Sequence, residues 1–225
     1  MKLFLDTCSI EDIKKWKQFN LVEGVTTNPS LLSKQKNEPT SQLSKICSIV
    51  NGPVSAQVTE IKFEKMIKQA INLKKIAKNI IIKLPATEDG YLAAKFLKTK
   101  KIKINVTLGF NPSQIIPFAK INVDYFSLIL GKTEDWGFSN VESIMKSKKI
   151  IKSLNSKTKL LLASIRNEDH LIESITNGAD ILTIPPTTWE KIFKNKYSKL
   201  ALDSMHNDWK LIAKKNKEKY DQFKR

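Results

Sequence analysis

Lys83 stands alone among apolar neighbours in the segment Asn79-Ile-Ile-Ile-Lys-Leu-Pro85. Burial disfavours the charged form of an amine and lowers its pKa. A lysine so placed can attack a carbonyl and form a Schiff base at neutral pH. The alternative is a lysine at a strand end whose ammonium snorkels to water. Asp6 could serve such a nucleophile as general acid and base. Asn28, Asn105 and Ser127 could hold the hydroxyls of a polyol, and Lys132 and Arg166 a phosphate. Local readings compete: Asn28-Pro29-Ser30 is a good turn, Ser9 caps a helix beginning just after Asp6, and Asn105 could be a strand residue satisfied by a neighbour. His170 and His206 are far apart and lack a cysteine cluster, which argues against a His/Cys metal site. Each reads as a surface or internally satisfied histidine.

These residues need a scaffold that brings them together. Short β-branched runs are expected as strands at 2–5, 24–26, 54–57, 80–84, 102–107, 125–130, 159–163 and 181–184. Helical patterns fall between them, among them 10–19, 63–78, 88–98, 140–154 and 168–176. In the second of these, Met66, Ile67, Ala70, Ile71 and Leu73 fall to one side and Lys65, Lys68, Lys74 and Lys75 to the other. Alternating strands and helices imply a parallel sheet, and eight such units a closed (β/α)8 TIM barrel of the α/β class. An open doubly wound sheet is the alternative. The whole chain, 1–225, reads as one domain; a further C-terminal helix is expected over about 198–217, with a polar tail from Lys214 that frays. Barrel enzymes build their sites at the C-terminal ends of the strands. Asp6, Thr26, Asn28, Gln57, Lys83, Asn105, Thr107, Ser127, Lys132, Ser164 and Arg166 all fall at such ends, which is the argument for taking them together.

Composition narrows the function classes. The formal charge of +17 raises nucleic-acid binding as a possibility. Yet Arg166 and Arg225 are the only arginines, whereas base readout and bidentate phosphate contacts favour arginine. The lysines spread along amphipathic segments, as solvated helix faces do. A basic nucleic-acid- or anion-binding barrel without catalysis is therefore the weakest reading, although the charge could attract anionic sugar phosphates. No apolar run approaches a membrane span, and Asp6 comes too early for a signal peptide. Cys8 and Cys47 suggest no disulfide framework, consistent with a cytoplasmic protein; Cys8 reads as a small buried thiol.

Several segments together resemble the transaldolase family, in its short bacterial and phage-type branch that includes fructose-6-phosphate aldolase. They are Leu-Phe-Leu-Asp-Thr at 3–7, Gly-Val-Thr-Thr-Asn-Pro-Ser at 24–30, 54–58, Ile-Lys-Leu-Pro-Ala-Thr-Glu-Asp-Gly at 82–90, Asn-Val-Thr-Leu at 105–108, Ala-Ser-Ile-Arg at 163–166, and 178–186. They run in family order over nearly the whole chain. The resemblance implies a class I aldol mechanism with neither metal nor organic cofactor, working in the pentose phosphate pathway. Lys83 would form the Schiff base and Asp6 would take the C4 hydroxyl proton. Asn28 and Asn105 would hold the three-carbon unit, with Thr26, Thr107 and Ser127 assisting or ordering water. Ser164 and Arg166 would bind phosphate. The implied reaction moves a dihydroxyacetone unit from sedoheptulose 7-phosphate or fructose 6-phosphate to an aldose phosphate; the aldolase alternative releases free dihydroxyacetone. A homo-oligomer, pentamer or decamer, is implied as well, with the last helix reaching a neighbour.

The chain departs from the family pattern at three positions. Gln57 replaces the transaldolase glutamate and matches the aldolase branch; it cannot exchange protons as glutamate does. Ile129 stands where the aldolase branch has tyrosine. Lys132 stands where transaldolases have a phosphate-binding arginine, keeping the charge and losing the bidentate fork.

Overall fold

The computed structural model describes residues 1–215; the expected end of the last helix and most of the polar tail lie outside the described residues. Eight parallel strands close in sequence order: β1 (Lys2–Asp6), β2 (Gly24–Thr26), β3 (Val54–Gln57), β4 (Ile80–Pro85), β5 (Ile104–Gly109), β6 (Tyr125–Ile129), β7 (Lys159–Ala163) and β8 (Ile181–Ile184), with β8 paired back to β1. This is the α/β barrel, and it excludes the open sheet. The helices are α1 (Ile10–Lys17), α2 (Pro29–Leu32), α3 (Pro39–Ile49), α4 (Phe63–Ile76), α5 (Glu88–Thr99), α6 (Ile115–Lys120), α7 (Leu130–Asp135), α8 (Asn140–Ser153), α9 (Glu168–Thr176), α10 (Pro186–Phe193) and α11 (Lys196–Lys215). A 3-10 turn, Pro112–Gln114, precedes α6.

The strand boundaries shift by one or two residues. β1 extends to Asp6 and β4 to Pro85, because both residues still pair with their neighbours: Asp6 with Thr26, Pro85 with Thr107. β5 starts at Ile104 rather than 102 and β6 stops at Ile129. Helices end earlier than their apolar pattern suggests at α1 and α4. Ser9 caps α1 as expected, accepting from the Asp12 N–H. On α4, Met66 and Ala70 are buried, but Ile71 is 37% exposed and Lys74 is drawn against the barrel, donating to the Lys78 and Ile80 carbonyls.

Strand alternation divides the residues cleanly. One parity faces the helices and is apolar: Leu5, Val25, Val54, Ala56, Ile80, Ile82, Leu84, Val106, Phe126, Leu128, Leu160, Leu162, Leu182 and Ile184 are all buried. The other parity carries Phe4, Tyr125, Leu161 and Ile181, which pack together as an apolar floor. Two residues further along the same strands it carries Asp6, Ser127, Ala163 and Thr183. Gly24 makes room for this floor: a Cβ there would lie 2.6 Å from the Phe4 ring.

Two compact units are present, Met1–Thr188, which is the barrel, and the chain from Trp189 onward. The second carries α11, a 20-residue helix on which Leu200, Leu202, Met205 and Leu211 are exposed. Among the described residues no helix is long and apolar enough to cross a membrane.

Candidate active site

The same-parity residues open into a cavity of about 490 Å³ at the C-terminal ends of the strands. Asp6, Thr26, Asn28, Gln57, Lys83, Thr107, Ser127, Lys132 and Ser164 line it. Strand register explains this convergence, since Gln57 pairs with Lys83, Lys83 with Asn105, and Asp6 with Thr26.

Lys83 is 8% exposed, and its Nζ donates to the Thr27 carbonyl at 3.3 Å. Burial lowers its pKa from the ordinary lysine value, against the opposing pull of Asp6 and Cys8. Asp6 is perturbed in the complementary sense. Burial raises its pKa, and the Lys83 ammonium and the Thr26 hydroxyl oppose the rise. The two groups are thus pushed toward a neutral amine and a protonatable carboxyl, the states that nucleophilic attack and proton exchange require.

A hydroxyl relay supports Asp6. Thr26 Oγ1 donates to Asp6 Oδ1 at 2.6 Å, and the Thr183 and Thr26 hydroxyls are also 2.6 Å apart. Since Thr26 has one proton to give, Thr183 donates to it. Thr183 is absent from the residues singled out in the sequence. Its signal was available: it is the one polar side chain in Ile181–Ile184 and shares the parity of Ile181.

Asn105 sits below the cavity. It is fully buried, its amide donating to Ser55 Oγ at 3.1 Å and its carbonyl accepting from Ser127 Oγ at 2.7 Å. In this arrangement it orients Ser127, which does line the cavity. Asn28 caps α2 through its side-chain carbonyl, which accepts from the Leu31 N–H at 2.9 Å, and the residue lines the cavity. The cap that the turn reading expects thus coexists with a place in the cavity wall.

Arg166 does not line the cavity. Its guanidinium grips both oxygens of Asp135, at 2.7 and 2.9 Å. Its stem passes over Gly131, where a Cβ would meet Arg166 Nε at 2.4 Å and the Ser164 carbonyl at 2.8 Å. His170 braces this corner from inside. It is 1% exposed, accepts from the Arg166 N–H at Nδ1 and meets Glu134 at 2.7 Å through Nε2, so it is the satisfied kind of histidine and not a surface one. α7 presents Lys132, Glu134 and Asp135 within one short helix. Sequence patterning gives no sign of a six-residue helix, and therefore none of the Arg166–Asp135 pair.

Two residues at the mouth hold left-handed backbone without being glycine: Leu108 at φ 59° and Ser164 at φ 63°. Such conformations cost of order 1–3 kcal/mol each and concentrate at functional sites. Cys8 lies behind Asp6 with its thiol pushed up to about 12, burial being the main cause. Among the described residues no group of His, Cys, Asp and Glu side chains gathers in a metal-holding cluster.

A model of the family described as Transaldolase/Fructose-6-phosphate aldolase matches residues 3–225. The chain belongs to that family. It is 40% identical over 214 residues to a "Probable transaldolase" of Thermodesulfovibrio yellowstonii, covering 95% of this chain and all of that one. It is 41% identical over 210 residues to a "Probable transaldolase" of Lactiplantibacillus plantarum, covering 93% and 97%. Another, from Nitrosopumilus maritimus, is 36% identical over 217 residues, covering 96% and 98%. Among solved structures, a protein from Coccidioides immitis assigned as a fructose-1,6-biphosphate aldolase superposes with a TM-score of 0.56 over 90% of this chain and 78% of that one, at 11% identity. That likeness concerns the barrel alone. Family membership identifies the chain as an enzyme of the transaldolase type, with aldol-type transfer as its chemistry.

Proposed function

We propose that this enzyme transfers a dihydroxyacetone unit between sugar phosphates through a Schiff base on Lys83. The observation that carries the reading is the placement of one buried, depressed lysine beside one buried, raised carboxyl in a polar cavity. The neutral Lys83 amine attacks the ketose C2 carbonyl and water leaves, giving an iminium. The Asp6 carboxylate takes the C4 hydroxyl proton. The C3–C4 bond breaks, its electrons pass into the iminium, and the aldehyde departs, leaving an enamine on Lys83. The enamine carbon then attacks an incoming aldose phosphate. Asp6 returns the proton to the new alkoxide, and hydrolysis frees the lysine. No electrons are gained or lost overall, so no redox cofactor enters.

In this reading Asn28, Ser127 and Thr107 meet the substrate hydroxyls, Asn105 fixes Ser127, Thr26 holds the Asp6 carboxyl that moves protons, and Gln57 orients water. Lys132 and Ser164 take the phosphate, joined by Arg166 if its guanidinium leaves Asp135. The donors in view are sedoheptulose 7-phosphate and fructose 6-phosphate, within the pentose phosphate pathway. Gln57 favours a second reading, an aldolase that releases free dihydroxyacetone, because at this position the chain matches the aldolase branch of the family and not its transaldolases. Two free cysteines support a cytoplasmic location, and the exposed apolar side chains of α11 support a homo-oligomer, pentamer or decamer, which sedimentation would test.

Borohydride reduction with fructose 6-phosphate, followed by peptide mass mapping, tests the mechanism: the adduct is expected on Lys83, and its absence there would overturn the proposal. Turnover of fructose 6-phosphate with and without erythrose 4-phosphate separates the two readings. Product formed without acceptor identifies the aldolase.

A further inference from the structure

The strands begin at the opposite pole of the barrel, which in this architecture is usually a region of packing and not of chemistry. Here it holds a second cavity of about 480 Å³. Five of its twelve lining residues are lysines: Lys2 at the start of β1, Lys74 and Lys78 from the end of α4 and just beyond, and Lys101 and Lys103 before β5. Lysine makes up about one residue in six of the chain, which would place two in a set of this size. The excess therefore goes beyond the lysine-rich composition.

No carboxylate lines this cavity. The acids on the adjoining strands and loops are committed elsewhere. Asp124 accepts from Lys98 Nζ at 3.2 Å and the Ile104 N–H at 2.9 Å. Asp180 accepts from Lys148 Nζ and the Leu160 N–H, both at 2.8 Å, and Glu23 accepts from the Leu3 N–H at 2.9 Å. Among the described residues, none of the five lysines has a carboxylate within salt-bridge distance. Lys74 is also fixed in place, its Nζ donating to the Lys78 and Ile80 carbonyls at 2.6 and 2.8 Å. Burial, and secondarily Lys103, holds its ammonium below the ordinary lysine value. Tyr125, half-buried at the start of β6 and stacked edge-on with Phe4 at 6.0 Å, adds a phenol at the cavity wall.

Like charges gathered in a concave site focus the field and raise the local concentration of a counter-ion. We propose that this N-terminal bowl is a binding site for a compact anion bearing a diphosphate group, held by Lys2, Lys74, Lys78, Lys101 and Lys103 with a hydrogen bond from Tyr125. A diphosphate has the charge to compensate several ammoniums at once, and the cavity admits a small molecule and not a folded partner. The site is separate from the cavity that holds Lys83, and the proposal does not depend on the chemistry there.

Calorimetric titration of the full chain with inorganic pyrophosphate tests it. Wild type is expected to bind, and Lys101→Ala/Lys103→Ala to bind roughly tenfold or more weakly, the loss expected for two partly screened charge pairs. Lys132→Ala, which alters the phosphate site at the other pole, is expected to leave the pyrophosphate response at residues 101–104 and 125 unchanged. In the unsubstituted protein, pyrophosphate should shift the amide resonances of residues 101–104 and 125, a readout independent of how the variant folds. Adenosine diphosphate is the second arm: tighter binding of pyrophosphate points to the free anion and tighter binding of the nucleotide to a carried diphosphate, both in support. The proposal is overturned if neither ligand binds, if the double variant binds as well as wild type, if Lys132→Ala removes the response at residues 101–104 and 125, or if a short single-stranded RNA displaces pyrophosphate from residues 101–104.

Discussion

Thr26→Val is the sharpest probe of the Asp6 relay. Thr26 is 1% exposed, and valine replaces its hydroxyl with a methyl group of similar size, so the barrel wall keeps its packing. Two hydrogen bonds of 2.6 Å disappear. The one to Asp6 favours the ionised carboxyl, and a hydrogen bond to a charged group is worth about 1.5–3 kcal/mol. If Asp6 must be ionised to accept the C4 proton, kcat/KM at neutral pH falls about 10- to 150-fold, by the conversion of about 1.4 kcal/mol per decade. The other loss leaves the Thr183 hydroxyl, also 1% exposed, without its acceptor, costing about 1–3 kcal/mol of stability. The pH dependence follows from the sign of the Asp6 shift. Its folded pKa lies above the unfolded value, so its contribution to stability is fully present below the ordinary carboxylate pKa and is lost as pH rises through the folded value. Removing the Thr26 donor raises the folded pKa further. The urea-unfolding gap between wild type and variant is therefore smallest in acid and widens as pH rises, while the acid limb of kcat/KM moves to higher pH. Thr26→Ser should restore both. An acid limb that stays in place while kcat falls would refute Asp6 as the base served by this hydroxyl.

Three further outcomes are expected. Asp135→Asn weakens the carboxylate's hold on the Arg166 fork; since both side chains are about half exposed, the KM for a phosphorylated acceptor should fall only about two- to fivefold, with the KM for unphosphorylated glyceraldehyde unchanged in steady-state assays. Gly131→Ala forces a Cβ against Arg166 Nε and the Ser164 carbonyl, so the KM for phosphorylated substrates should rise about tenfold at a stability cost of about 1–3 kcal/mol, while borohydride still traps the Lys83 adduct. Cys8, with its thiol pushed up to about 12, and Cys47, at about 11, should resist iodoacetamide at pH 8 in the native protein and react on unfolding; rapid native alkylation followed by mass spectrometry would contradict the burial of both.

The strands could be read from the chain because their helix-facing parity is almost uniformly β-branched or leucine, and that signal needs no tertiary context. Their ends were less legible: Asp6 and Pro85 look like loop residues by type, yet each remains in register with a neighbouring strand. α3 opens with Pro39 and a polar turn that hide its buried stripe of Gln42, Leu43, Ile46 and Cys47. Most of the residues that line the mouth could be located because a barrel converts position along a strand into position around a mouth. What could not be read was partnership. Arg166 looks equally free as a phosphate ligand whether or not Asp135 lies within reach, and only the short α7 brings Asp135 there. Lys74 looks like another solvated lysine until Lys78, just before β4, and Ile80, at its start, place their carbonyls against its ammonium.

The apolar floor and the reactive layer are consequences of one alternation. Phe4 and Asp6 are two residues apart on β1, and Ile81 and Lys83 are two apart on β4. The parity that packs the interior also commits a carboxylate and an amine to the layer above it. That floor does more than fill space. It keeps water from beneath Lys83 and Asp6, and burial is the largest cause of both pKa shifts. Enlarging the interior below them would therefore act on the chemistry without touching either group. A cavity that admitted water at Phe4 would return Lys83 toward its ordinary, protonated state and Asp6 toward its ordinary, weakly basic one. Gly24, which leaves the Phe4 ring its space, is in this sense part of the site: the sequence Gly-Val-Thr at β2 sets the floor with its first residue and the Asp6 relay with its third.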